Sequence, residues 1–278
     1  MTLPWDAVIA ALAAALLHAL WNAALKGGND RILDASLLFS VAGMIGLMST
    51  FFAPTMDVTA WKWIVATALL HVPYVYFLAR AYELGELSHV YTIARGLPPI
   101  MIMGLATVTL AEIPTLPALG GVILISIGIL TVGLSKGAHV QGSLLAMIVA
   151  ISIALYSISD GIGVRASQSP IAYNGWVFFA VGMTCTVMAT YLRGRKIIPY
   201  ARVHWRRALF GGVLSFVAYG LVLWAMTKAS IAGISALRET SVVFASMIGI
   251  LAFGEKAGAR RLIGALIVAI GALVLKFA

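Results

Sequence analysis

Long apolar runs, broken at nearly regular intervals by short polar stretches, fill the chain. A helix needs about 20 mainly apolar residues to cross the hydrocarbon core of a bilayer. Ten runs meet that need, at about 7–25, 32–52, 62–83, 88–110, 116–134, 142–164, 173–192, 207–228, 231–252 and 259–277. The breaks carry loop chemistry: Gly27-Gly28-Asn29-Asp30, Pro54, Gly85-Glu86, Pro114 and Pro117, Ser135-Lys136-Gly137, Ser169-Pro170, and a basic run from Arg193 to Arg207. Lipid offers no hydrogen-bond partner, so the backbone of each run must pair internally, as helix or closed barrel. The runs are too long and too uniformly apolar for alternating barrel strands. The predicted fold class is all-α: a polytopic membrane protein of ten transmembrane helices.

Composition agrees. Hydrophobic residues make up 62% of the chain and charged residues 10%, with a mean hydropathy of +1.00. Ordinary soluble domains carry about 25% charge, so this chain lacks the polar surface to cover itself. Almost nothing remains outside the runs to form a soluble enzymatic domain. The net charge of +9 sits mainly in short loops without a basic-aromatic stripe, which suits membrane topology and not nucleic acid. One cysteine, Cys185, excludes an intramolecular disulfide and a cysteine metal cluster. The start, Met1-Thr2-Leu3-Pro4-Trp5-Asp6, lacks the basic residues of a signal peptide, so the first run reads as a retained helix.

The chain repeats itself. One fixed shift places Arg95 on Arg238, Glu112 on Glu255, Leu119 on Leu262, Gly121 on Gly264 and Gly128 on Gly271. A slightly shorter shift places His18 on Tyr156 and Asn22 on Asp160. Residues 1–137 and 138–278 therefore read as two copies of a five-helix unit. Five is odd, so the copies would lie upside down to one another in the membrane. Inverted repeats around a central site are a transporter architecture. A duplicated bundle without transport is the plainer alternative.

The same residues resemble a known family. His18-Ala19-Leu20-Trp21-Asn22 in the first run is similar to the drug/metabolite transporter superfamily, in particular its EamA-type members. So are Ala111-Glu112 and Gly254-Glu255 before the fifth and tenth runs, followed by Gly121 and Gly264. The resemblance covers the whole chain as two repeats. It implies a ten-helix exporter or exchanger whose cavity is lined by the first, third, fourth, sixth, eighth and ninth helices.

Polar residues within the runs mark candidate chemistry. A charge at mid-membrane costs about 2.5–3.5 kcal/mol on insertion scales, so one that persists faces a cavity or a partner. Arg238 and Glu239 lie a third of the way along the ninth run. Successive helical residues point about 100° apart, so the two are not expected to neutralise each other. Glu239 is a candidate for proton coupling or cation binding and Arg238 for anchoring an anion; a structural ion pair is the alternative. Arg95 shares a helix face with Tyr91, and Gly96-Leu97-Pro98-Pro99 follows at once. Proline frees backbone carbonyls and bends the helix, so Gly96, Pro98 and Pro99 are candidate gate or hinge residues, or a static bend. His18 and Asn22 share a face with Trp21 beside them, and Tyr156 and Asp160 have the same spacing. His18 is either a proton carrier or a helix-to-helix hydrogen bonder. Asp160 is a third coupling candidate, or an interfacial residue paired with nearby Arg165. His71, Pro73, Tyr74 and Tyr76 give the third run a polar-aromatic patch, and Tyr219 and Trp224 do likewise for the eighth, as candidate cavity aromatics; packing or an interface belt is the alternative.

No phosphate-binding loop, zinc-protease motif or nucleophile elbow occurs, so no cofactor, metal or enzymatic activity is expected. Without a nucleotide site, uphill transport must be ion-coupled or exchange-driven. The expectation is a multi-pass protein of the cell membrane, bacterial inner or plasma membrane, acting as monomer or homodimer. Its partners would be the lipid bilayer, a small polar or amphipathic metabolite such as an amino acid or amine, and protons; no nucleic acid is expected. An accessory, structural or lipid-handling protein is the alternative. Orientation is contested. Lys26, Arg31, Arg80, Lys136, six residues of the basic run, Lys256, Arg260 and Arg261 fall on one side; Lys62, Arg165, Lys228 and Lys276 fall on the other. The excess of positive charge then puts both termini outside the cytoplasm, whereas the family resemblance implies the reverse.

Overall fold

The computed structural model describes residues 3–24, 30–85, 87–133, 140–253 and 258–278. The breaks expected at Gly27-Gly28-Asn29, Glu86 and Ser135-Lys136-Gly137, together with Gly254-Glu255 and Lys256, lie outside the described residues. Among the described residues the structure is helical, with no strand.

The helices follow the apolar runs closely: α1 Trp5–Ala24, α2 Arg31–Thr50, α3 Trp61–Leu84, α4 Leu87–Gly96, α5 Pro98–Leu110, α6 Leu116–Gly133, α7 Val140–Ser167, α8 Pro170–Arg193, α9 Ile197–Met226, α10 Ile231–Arg238, α11 Ser241–Phe253 and α12 Ala259–Lys276. Eight stretches among them are long and apolar enough to cross a membrane, the longest being Pro170–Met226, which holds both α8 and α9. Large apolar side chains face outward, with Phe52 88% and Leu251 80% exposed, as lipid-facing surfaces allow.

Local chemistry sets the ends. Asp30 caps α2, its Oδ1 accepting from the N–H groups of Ile32 at 3.0 Å and Leu33 at 3.2 Å. Partial burial pushes the Asp30 carboxyl up, but Arg193 and these two backbone donors outweigh it and hold it below the usual carboxylate range. Ser169 and Pro170 start α8, the first as a cap and the second at a position whose N–H is not needed. Ala111, at φ 53°, ends α5.

Two expectations are corrected. The basic run is not a loop: a 3-10 turn at Gly194–Lys196 leads directly into α9, which starts at Ile197 instead of near 207. Lys and Arg are good helix formers, so charge ends a lipid-facing surface without ending a helix. The ninth run is not continuous either. It divides at Glu239 and Thr240, whose N–H groups turn back to the carbonyls of Ala236 and Leu237 at 3.1 Å each. Thr240 Oγ1 donates to Leu237 O at 2.7 Å. The fourth run divides at Leu97, where prolines supply the break. Such interruptions inside a membrane are tolerated where protein or a cavity surrounds them.

Helix pairs close on small residues, the usual membrane solution when apolar burial gives no drive to associate. On α2 and α8, Gly43 lies against Gly182 and Gly46 against Gly175. On α6 and α12, Gly121 lies against Gly271 and Gly128 against Gly264. A Cβ on Gly128 would stand 2.8 Å from Gly264 O.

Candidate functional site

The two helix breaks bring their charged residues together. Arg95, at the end of α4, and Arg238, at the end of α10, both reach Glu239. Arg238 Nη2 donates to Glu239 Oε1 at 3.1 Å and its Nε at 3.3 Å. Arg95 Nη1 lies 3.5 Å from Glu239 Oε2. All three side chains are buried, Glu239 at 1% exposure. The expectation that neighbouring Arg238 and Glu239 would not neutralise each other is therefore overturned. It assumed regular helix, and the helix ends between them.

Arg95 also donates through Nη2 to His18 Nε2 at 2.7 Å. A guanidinium has no acceptor lone pair, so the imidazole must accept here and carry its hydrogen on Nδ1. Trp21 packs edge-on to His18 at 4.9 Å, and Asn22 donates to His18 O at 2.8 Å. Tyr91 lies beneath the Arg95 guanidinium, 5.8 Å from its ring centre.

Asp160 is enclosed by neighbouring helices. α7 runs on to Ser167, and Asp160 is fully buried. It accepts from Thr67 Oγ1 at 2.7 Å, Tyr173 OH at 3.0 Å and, through Oδ2, from Tyr219 OH. Arg165, its expected partner, instead joins a cluster at the bundle end. There Arg165 Nη1 donates to Glu112 Oε1 at 2.7 Å, Nε to Met226 O at 2.9 Å and Nη2 to Ala229 O at 2.8 Å. Glu112 Oε2 accepts from Ile231 N at 3.1 Å, so one ion pair ties together the ends of α5, α7, α9 and α10. Nearby termini are pinned as well, Lys276 Nζ donating to Leu3 O at 2.6 Å.

Two connected spaces meet at Arg95. An inner pocket of about 70 Å³ is walled by His71, Tyr74, Tyr156, Tyr219 and the two arginines, among mostly apolar neighbours. A vestibule of about 820 Å³ continues outward. It is lined by the last turn of α1, the first of α2, the end of α3, and by α4 and α11, with exposed Arg31 and half-buried Arg261 at its rim. Trp21, Phe39, Tyr74 and Arg95 line both spaces.

Most of the residues singled out in the sequence meet here: His18, Trp21, Asn22, Tyr91, Arg95, Tyr156, Tyr219 and Arg238 line one space or both. Glu239 and Asp160 stand directly behind them. Gly96 packs on Leu130 and Ile129 of α6, with Pro98 and Pro99 buried at the start of α5. Tyr76 and Trp224 do not line the cavity. Tyr76 is 37% exposed and packs edge-on to Phe77, and Trp224 carries the Lys228 ammonium 5.7 Å above its ring. Tyr74 takes the place expected for Tyr76, since residues two apart on a helix point to nearly opposite sides. Phe39, Thr67 and Tyr173 join the site without having been singled out for it, whereas His71 and Tyr74 belong to the patch read on the third run. The spacing of His71 and Tyr74, three apart, separates these two from Tyr76 within the patch.

Residues 140–277 match the EamA-like transporter family. The protein belongs to that family, within the drug/metabolite transporter superfamily. Its members are membrane transporters. No curated protein matches the chain. A solved structure, titled only as the crystal structure of a protein, superposes with a TM-score of 0.75 over 98% of this chain and 97% of its own, at 16% identity. At that identity the likeness is one of fold.

Proposed function

We propose that this EamA-family chain is a secondary active transporter, an exporter or exchanger of a small polar or amphipathic metabolite, working by alternating access. The observation that carries it is a large vestibule open at one end of the bundle and leading to buried charge. A purely structural subunit has no use for such a space.

On this reading the eight apolar stretches become ten spans, because Pro170–Met226 holds two helices and α12 adds another. Residues 1–137 and 138–278 are then inverted repeats. The glycine contacts support this: Gly121 meets the repeat counterpart of Gly128, and Gly128 meets the counterpart of Gly121. Reciprocal pairing of that kind is what a two-fold axis produces. Helix neighbours follow the same rule: α3 packs on α7 and α1 on α9. The symmetry fails where access differs. α5 packs on α10 at the Glu112–Arg165 end, whereas their counterparts α11 and α4 both line the vestibule. The vestibule opens on the face richer in Lys and Arg, which the charge rule assigns to the cytoplasm. The cell membrane is the expected site of action.

Of the three coupling candidates, Asp160 is favoured. Glu239 is tied to two guanidiniums and His18 accepts from one of them, Arg95, whereas Asp160 makes no ion pair among the described residues and is hydrogen-bonded by three hydroxyls. Purified Asp160→Asn protein in liposomes is expected to keep substrate exchange and lose flux driven by a proton gradient. Unchanged gradient-driven flux would remove Asp160 from that role.

A further inference from the structure

Low-dielectric surroundings require buried charges to be balanced, because an unpaired ion in an apolar setting is strongly penalised. The central cluster does not balance itself. Arg95 and Arg238 share one carboxylate, that of Glu239. The second partner of Arg95, His18 Nε2, is a lone pair and brings no charge. Asp160 lies within electrostatic reach of Arg238 but makes no ion pair with either arginine among the described residues and is hydrogen-bonded by three hydroxyls. Trp21 Nε1, on the cavity wall, has no acceptor among the described residues. The cavity wall therefore presents donors and positive charge, while both buried carboxylates stand behind it with other partners.

Neither aspartate nor glutamate lines the inner pocket. Its remaining walls are aromatic or aliphatic, including Phe39, Tyr74, Tyr156 and Phe178. Aromatic faces can hold a cation, but two guanidiniums in the same wall repel one.

We infer that the substrate is a small monoanion, a carboxylate joined to an apolar or aromatic body, and that its anionic group lies against Arg95 and Arg238. This rests on the transport reading above and narrows it: a simple amine is excluded. The carboxylate supplies a counter-charge on the cavity side and competes with Glu239 for Arg95, whose contact at 3.5 Å is the longer of the two ion pairs. The body fills the aromatic pocket.

The test compares three probes that share a phenylethyl body on the purified full chain in detergent: 3-phenylpropionate, its isosteric amide 3-phenylpropionamide, and phenethylamine. Binding is read from the ligand-dependent rise in melting temperature. The acid is expected to bind about 10- to 100-fold more tightly than the amide or the amine, the range that hydrogen bonds to a charged group supply. Arg95→Gln should abolish that preference, and Arg95→Lys, which keeps the charge, should keep part of it. Amine binding as tight as the acid, an acid preference that survives Arg95→Gln, or no binding by any probe would overturn the inference. Acid-selective binding without flux of the acid into proteoliposomes would leave the anion site standing and defeat the transport reading.

Discussion

Replacing Glu239 by glutamine leaves the shape of the site nearly intact and removes the one negative charge between two buried guanidiniums. Glu239 is 1% exposed, with Arg95 and Arg238 side chains at 8% and 5%. Solvent therefore screens the cluster weakly. The carboxylate accepts at 3.1, 3.3 and 3.5 Å. The two longer contacts are weak, so summing three full hydrogen bonds would overstate the loss. The dominant effect is the pair of uncompensated charges. Removing one partner of a buried ion pair costs about 3–5 kcal/mol, and Glu239→Gln is expected to fall in that range. The measurement is equilibrium unfolding of the full chain in mixed micelles. A second variant, Glu239→Gln with Arg238→Met, should be less destabilised than Glu239→Gln alone, because it removes one orphaned charge. The two changes would then be strongly non-additive, as residues in one network are. A loss under about 1 kcal/mol for Glu239→Gln would refute the counter-ion role. Additive losses in the double variant would refute the shared cluster.

The helix contacts make a separate prediction. Gly128→Leu puts a Cβ 2.8 Å from Gly264 O and from Val268 N, both backbone atoms, and should destabilise by about 1–3 kcal/mol or more. Gly104→Ala, with nothing within 4 Å of its Cβ, should be neutral in the same unfolding assay. At the closed end, Glu112→Gln loses the charge in a contact whose side chains are 35% and 19% exposed. Discounted for that exposure, the pair contributes about 1 kcal/mol, so opening should rise about 5-fold. Labelling of a cysteine placed at Ala232, which is buried in α10, reads it; an unchanged rate would remove the ion pair from gating.

Much of the fold was legible because lipid demands long apolar runs. The apolar segments and their prolines and glycines located most helix ends within a few residues. Two features were not legible. The start of α9 was hidden because Arg and Lys end an apolar run without ending a helix. The division at Glu239 was hidden because no proline or glycine lies between Ile234 and Phe244. There the turn is set by the charged cluster and by Thr240, which are tertiary and side-chain effects. The fixed shift that pairs Arg95 with Arg238 pointed to the cluster before any geometry was known. Facing was harder. In a soluble helix the polar side announces itself, but around Tyr74 and Tyr76 both sides of α3 are apolar or aromatic, one outward and one toward the site. Tyr74 and Tyr76 were therefore indistinguishable by composition, and only packing separates them.

The central claim is that substrate passes through the vestibule of a chain whose ends open in turn. Uptake of labelled 3-phenylpropionate into liposomes holding the purified full chain tests it most directly. Saturable uptake is expected, faster when unlabelled acid is trapped inside and lost in Arg95→Gln. Folded protein that raises uptake no further than protein-free liposomes would contradict it.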